Sequence, residues 1–265
     1  QGIIPKASVD RMEAIGRWME VNGEAIYETQ PSPFPSSFDW GNVTVNRNKL
    51  YLLIKDYPSN PFVLHGLRSK VIRVYMLSDP KSDFDFKQLH DDSLDHDVLE
   101  IIFPNRIPDQ HVPVVVLELD GEPKIDNMLL QQPNGTATLV STMANLHNKQ
   151  GTSPINITPS GVAEDWTNKS NWMSWKVKIV RPGDYEISLV TGGSRHNSPW
   201  DVGHRVNIEF ASQSFRCVVS RHVVVTKPRA QYFPEAETKM GKVKINQPGT
   251  YDLKLCADHI QKGNS

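Results

Sequence analysis

Apolar residues recur at three- and four-residue steps over the first twenty or so positions, and at two-residue steps in most segments after Pro35. Val9, Met12, Ile15, Trp18 and Met19, with Ala14 beside them, make one stripe about a third of a helical surface wide. Ser8 is the expected N-cap, Asp10 sits in the first turn where the helix dipole favours an acid, and Asn22 and Gly23 end the helix. So rich a stripe requires cover. No second amphipathic helix of comparable quality follows, so this one packs on a sheet of the chain or its natural partner lies outside it.

The strand-like runs are short and broken by Pro, Gly and Asp. They are NKLYLLIKDYP (48–58), PFVLHGL (61–67), KVIRVYMLSD (70–79), DVLEIIFP (97–104) and VPVVVLELDG (112–121). In the third, Val71, Arg73, Tyr75 and Leu77 oppose Ile72, Val74 and Met76. The segment DFDFKQLHDDSLDHD (83–97) reads as an acidic, solvated insertion, because its carboxylate spacing does not match a calcium-binding helix–loop–helix. After Asn127 the hydrophobic pattern thins and then resumes. WMSWKVKIVRPGDYEISLVTGG (172–193) gives a strand, a Pro-Gly turn and a second strand; HRVNIEF (204–210), FRCVVSRHVVVT (215–226) and GKVKINQPGTYDLKLCAD (241–258) follow, the last with another Pro-Gly turn. The expected fold is all-β: two antiparallel β-sandwiches, the second jelly-roll-like, preceded by one helix. The expected segments are 1–33, 34–127 and 128–265.

Composition narrows the function classes. With 265 residues, 38% hydrophobic, 22% charged and a net charge of -1, the chain carries no basic footprint for nucleic acid and no polybasic patch for a membrane surface. No apolar run approaches the roughly 18 residues of a spanning helix, and QGIIPKASVD has no basic region leading into an apolar one, so no signal peptide is expected here. Cys217 and Cys256 lack a zinc-like spacing; they are two buried free thiols or a disulfide between neighbouring strands. His90, Asp91, Asp92, Asp95 and His96 are the one dense titratable cluster, set in a polar segment without the apolar walls that perturb catalytic groups.

VDRMEAIGRWMEVNGEAIYETQPSPF (9–34) resembles the end of the catalytic barrel of the family twenty-nine glycoside hydrolases, the α-L-fucosidases. GNVTVNRNKLYLLIKDYPSNPFVLHGLRSKVIRVYMLSD (41–79) is similar to the β-sandwich that follows the barrel there. The resemblance weakens after Asp126. Beyond it, the early Trp, WKVKI and PGDYEISL resemble the galactose-binding-like modules appended to bacterial members. The resemblance implies that the helix is left over from a missing (β/α) barrel and that the parent hydrolyses α-L-fucosides with retention, using two barrel carboxylates. No catalytic residue carries over to this chain, so it is expected to be inactive alone, with no cofactor. The implied partner is the catalytic barrel of the same protein in cis, against which the helix stripe would close. Glu24, in NGEAIY, would fix the turn after the helix by bonding backbone N–H groups or a neighbouring Arg, or stand at the rim of the barrel. The implied location is periplasmic or secreted.

Three functions stay open: a non-catalytic C-terminal region of an α-L-fucosidase, an independent carbohydrate-binding module, and a complete enzyme of unknown chemistry. For a fucosylated glycan, the candidates are a Trp ring as stacking face with planar polar groups around it. Trp166 and Trp175 are expected in the core. Trp172, in step with Ser174, Lys176 and Lys178, should face outward or cap an edge. Trp200, with Arg195 and Asn197, lies in the polar segment GGSRHNSPWDVGH (192–204), expected to be a loop at one end of the second sandwich. Glu164, Asp165 and Asp258 are candidate oxygen ligands for a structural Ca2+, or simply solvated acids.

Overall fold

The computed structural model describes residues 4–35, 37–56, 60–104, 111–192, 203–225 and 235–261. The chain divides into two compact units, Gln1–Asn127 with Gln132–Asn134, and Met128–Gln131 with Gly135–Ser265.

The first unit opens on helix α1 (Lys6–Asn22) and a 3-10 turn (Gly23–Ala25). The helix starts two residues before the expected cap. Pro5 takes the N-cap position without a side-chain bond, leaving Ser8 inside the first turn, where proline's fixed φ suits the entry. Nine strands follow: β1 (Gln30–Pro31), β2 (Gly41–Asn46), β3 (Lys49–Ile54), β4 (Phe62–His65), β5 (Val71–Met76), β6 (Asp79–Asp83), β7 (Phe86–Asp91), β8 (His96–Ile101) and β9 (Val114–Leu119). They form a six-stranded sheet, β1-β2-β3-β9-β5-β6, and a three-stranded sheet, β4-β8-β7, antiparallel throughout.

The apolar run at β9 has a plain cause: both of its faces are covered. Val115, Leu117 and Leu119 join Leu50, Leu52, Leu64, Leu99 and Ile101 in the main core. Val114 and Val116 point the other way, into a second cluster with Ala25, Tyr51, Tyr75 and Leu77, against which Trp18 packs. The Trp18 indole N–H donates to the Val112 carbonyl at 2.8 Å, tying α1 to the approach to β9. Ala14 and Met19 are partly covered, while Val9, Met12 and Ile15 are bare, Met12 67% and Ile15 53% exposed.

Two expectations fail here. The segment 83–97 is not a solvated loop: it runs from the end of β6 through the β7–β8 hairpin. His96 is buried, and its ring stacks on His65 at 4.8 Å with Nε2 2.7 Å from Nδ1. The polar residues hid β7, whose apolar positions are only Phe86, packed against the core, and the exposed Leu89; β8 matches the strand expected over 97–104. In β5 the strict alternation breaks at a register shift between Val71 and Arg73, so Val71 shares the core face of Val74 and Met76 while Ile72 is exposed.

The second unit contains β10 (Leu129–Leu130), β11 (Asn145–His147), β12 (Asn156–Ile157), β13 (Ala163–Glu164), β14 (Trp172–Ile179), β15 (Gly183–Gly192), β16 (Arg205–Phe210), β17 (Gln213–Val218), β18 (Val223–Val225), β19 (Glu235–Ile245) and β20 (Gly249–His259). One main sheet runs β10-β14-β20-β16-β17, with β11 also on β14; the other is β15-β19-β18, and β12 and β13 form a separate two-stranded pair. The Pro-Gly turns do not make hairpins. Each carries the chain from one sheet to the other, β14 to β15 and β19 to β20. The two cornered segments, IVRPGDYEISL and INQPGTYDLKL, then pair with each other in both sheets, with Ile179 opposite Gly249 and Gly183 opposite Ile245. At each corner a Tyr two residues after the Gly closes back on the carbonyl four residues upstream: Tyr185 on Arg181, and Tyr251 on Gln247 at 2.6 Å. Trp166 and Trp175 lie in the core between the sheets, each with its indole N–H bonded to a carbonyl, of Asn171 and Val140.

Gly41 opens β2, opposite Ile54 at the end of β3. A Cβ there would stand 2.0 Å from the Leu53 carbonyl oxygen, so Gly41→Ala should lower stability by about 1–3 kcal/mol, read from urea unfolding. Tyr251→Phe should cost about 1 kcal/mol in the same measurement, the net worth of the corner hydrogen bond.

Candidate functional site

The first feature is the end of α1. Glu24, in the 3-10 turn, accepts hydrogen bonds at one oxygen from Lys49 Nζ at 2.8 Å and from the Tyr51 hydroxyl at 2.7 Å. Its partners are therefore a Lys and a Tyr of β3, rather than backbone N–H groups or an Arg. Beside them Tyr75 donates to Glu118 at 2.9 Å, and Thr44 donates to the Ala25 carbonyl at 2.7 Å. The Lys49 and Tyr51 bonds hold the Glu24 carboxyl below its ordinary range, against the opposing effect of burial. The bond to Glu24 raises Lys49, and burial followed by the Glu24 bond raises Tyr51. The cluster is a clamp between helix end and sheet.

The second feature is the outer face of the larger sheet of the second unit. Residues of even number on β14 and β20 point away from the core, so Trp172, Ser174, Lys176, Asp252, Lys254 and Cys256 share that face. Trp172 is half-buried. The His147 ring, from β11 on one side of β14, lies flat on the indole with centroids 3.4 Å apart and planes 6° from parallel. From β20 on the other side, Lys254 Nζ comes within 4.9 Å of the indole centroid. His147 Nε2 is 2.9 Å from Ser174 Oγ, fixing the ring against its strand.

The neighbouring strands complete the surface. The Ser214 hydroxyl donates to Asn207 Oδ1 at 2.7 Å, and Asn207 Nδ2 donates to Glu209 at 3.4 Å. The charges are paired across strands: Lys176 with Asp252 at 2.8 Å, Lys254 with Glu209 at 3.5 Å, and Arg216 with Asp258 at 3.5 Å. Between Trp172, Ser174, Ser214 and Lys254 opens a cleft of about 630 Å3. Its rim includes the two-residue turn Ala211–Ser212, both left-handed at φ 49° and 60°, where Asn and Gly are the less costly residues.

Trp172 thus faces outward beside its strand edge. Lys178 does not behave as its parity suggests; it is buried near β10, which pairs with the end of β14. Trp200, Arg195 and Asn197 lie outside the described residues. Glu164, Asp165 and Asp258 do not form one oxygen cluster, since no group of three His, Cys, Asp or Glu suited to a metal occurs among the described residues. Asp165 accepts from Asn156 at 2.9 Å, and Asp258 pairs with Arg216. Cys217 and Cys256 are free, one on each face of their sheet, so a disulfide between them has no geometry; burial pushes the Cys256 thiol up. Sequence reasoning missed His147, Asn207, Glu209, Ser214 and Lys254. Only the parity of Lys254 with Trp172's face was readable, and that required knowing which strands pair.

The clamp sets a pH dependence. With the Glu24 pKa lowered on folding, the unfolded chain binds more protons in the carboxylate range, so the clamp's contribution is present above that range and lost as pH falls through it. Glu24→Gln should flatten the rise of melting temperature with pH across the carboxylate range and leave the alkaline side governed by Lys49 and Tyr51 less steep, as thermal unfolding from pH 3 to 10.5 would read.

No family model matches the chain, and no curated protein matches it. Among solved structures, it is similar to an α-L-fucosidase from Vibrio sp. strain EJY3, at 23% identity and a TM-score of 0.68, over 100% of this chain and 43% of that one. It is also similar to α-L-fucosidase isoenzyme 1 from Paenibacillus thiaminolyticus, at 30% identity and a TM-score of 0.38, over 45% of this chain and 28% of that one. The chain therefore has, along its whole length, the fold of somewhat under half of the Vibrio α-L-fucosidase.

Proposed function

We propose that this chain is a non-catalytic C-terminal region of an α-L-fucosidase that acts with retention, and that it supports a catalytic barrel in cis. The observation that carries the reading is the whole-length likeness to 43% of one such enzyme. The bare helix face supports it: α1 is clamped to its sheet at Trp18 and Glu24, while Val9, Met12 and Ile15 remain exposed as an apolar surface for a further domain. The acidic cluster offers no competing active site. His90 and Asp97 pair at 3.0 Å, Arg68 binds Asp95 and Asp126, and all lie along ordinary strand edges and turns. Such a parent would work in the periplasm or outside the cell.

A second reading, an independent carbohydrate-binding module, is favoured by one observation, the open face around Trp172. Assay of an aryl α-L-fucoside separates the enzymatic classes. The chain alone should give no turnover, and measurable hydrolysis would overturn the proposal. In the parent, Met12→Asp with Ile15→Asp should lower the melting temperature by several degrees, whereas in the chain alone the same pair should change it little. An equal effect in both would place the stripe in the chain's own core.

A further inference from the structure

We infer that the open face of the β14–β20–β16–β17 sheet is a binding surface for an uncharged saccharide, seated on Trp172. It rests on the second reading above and not on a place beside a fucosidase barrel, and its assay is separate from turnover.

The ring comes first. A Trp in mid-sheet with no function would be packed on both sides or pointed inward; Trp175, three residues on, is pointed inward. Trp172 instead stands outward, braced on one side by a parallel His147 ring that is itself held by Ser174. From the neighbouring strand the flexible end of Lys254, whose ammonium already has Glu209 as a partner, comes within 4.9 Å of the ring centroid. A cation over an exposed ring is worth only about 0.5–1 kcal/mol. A sugar's C–H face can therefore displace it at little cost, leaving Lys254 on Glu209 to donate to a hydroxyl.

The floor comes next. Ser174 and Ser214 are small, and with Glu209, Gln213, Asp252 and Lys254 they set hydroxyl, amide and charged groups beside the apolar Trp172, Phe210 and Leu253 that also line the cleft; Asn207, bonded by Ser214, is buried. Its volume, about 630 Å3, falls among small-ligand clefts. An apolar ligand would leave those groups unpaired, which disfavours it. A protein partner would call for a larger aromatic or aliphatic anchor set than one indole.

Charge then selects within the saccharides. Lys176, Lys254 and Arg216 each face a carboxylate on the adjoining strand, so the face presents paired charge instead of a free cation. A sulfate or uronate would meet Asp252, Glu209 and Asp258 as well as the cations, and would have to break a pair to be held. A neutral, hydroxyl-rich ring has no such cost.

The test is an array of immobilised neutral, sulfated and uronic-acid oligosaccharides probed with the full chain, followed by calorimetric titration of the best neutral binder. Neutral members should be retained. Trp172→Ala should weaken binding roughly tenfold or more, and Trp172→Phe should restore part of it, because a stacking face remains. Ser214→Arg fills the cleft from an exposed strand position, so it should abolish binding; it gives up the bond to Asn207 and lowers the melting temperature modestly, and a cooperative unfolding transition shows the fold intact, which decides the matter if the Ala variant fails to fold. Trp200→Ala should bind as the parent chain does. Retention of no glycan, retention only of sulfated or uronic members, or binding untouched by Ser214→Arg would each overturn the inference.

Discussion

The first unit depends on strand β9 being covered on both faces. Five apolar side chains in a row, Val114, Val115, Val116, Leu117 and, after Glu118, Leu119, cannot all point into one sandwich core, because successive side chains alternate. The odd-numbered ones meet the three-stranded sheet. The even-numbered ones need a second cover, and helix α1 with its 3-10 turn supplies it through Trp18 and Ala25. Removing that cover would expose Val114, Val116 and Tyr51 together. The helix is thus part of the β-unit's own core on one side, whatever lies against its other side.

The same logic explains the Glu24 clamp. Tyr51 and Tyr75 bring hydroxyl groups to the edge of an apolar cluster, where each requires a partner. Glu24 and Glu118 provide the acceptors, and Lys49 balances the charge. The end of the helix is then fixed by directional bonds as well as by packing.

The second unit is organised by two similar corners. Each Pro-Gly step turns a long strand out of one sheet and into the other, and a Tyr locks the bend. Because the two bent segments pair with each other in both sheets, they supply the centre of the larger sheet and two of the three strands of the smaller. The inner faces meet over the core around Trp175, Val177, Ile208 and Leu255. The larger sheet's outer face is left with a row of polar residues and one indole, and ion pairs between strands keep it wet and electrically balanced there.

By itself the sequence determined the all-β class, the leading helix and its end at Asn22, the inward Trp166 and Trp175, and the outward Trp172. Each of these is a local property: a period of two or of 3.6, a terminator, or parity along one strand. Strand β8 was legible as the run 97–104, but its hairpin partner β7 was not, because only Phe86 and Leu89 of its six residues are apolar. The register shift in β5 was hidden too, since a bulge leaves the alternation of residue types intact while moving them between faces. Tertiary structure alone decided that the Pro-Gly turns are crossings between sheets and not hairpins, and that Cys217 and Cys256 stand on opposite faces. It also brought His147, Asn207, Glu209, Ser214 and Lys254 around Trp172. Those residues come from four strands spread over more than a hundred positions, and their proximity follows from strand order, which is set by long-range packing that no local pattern records.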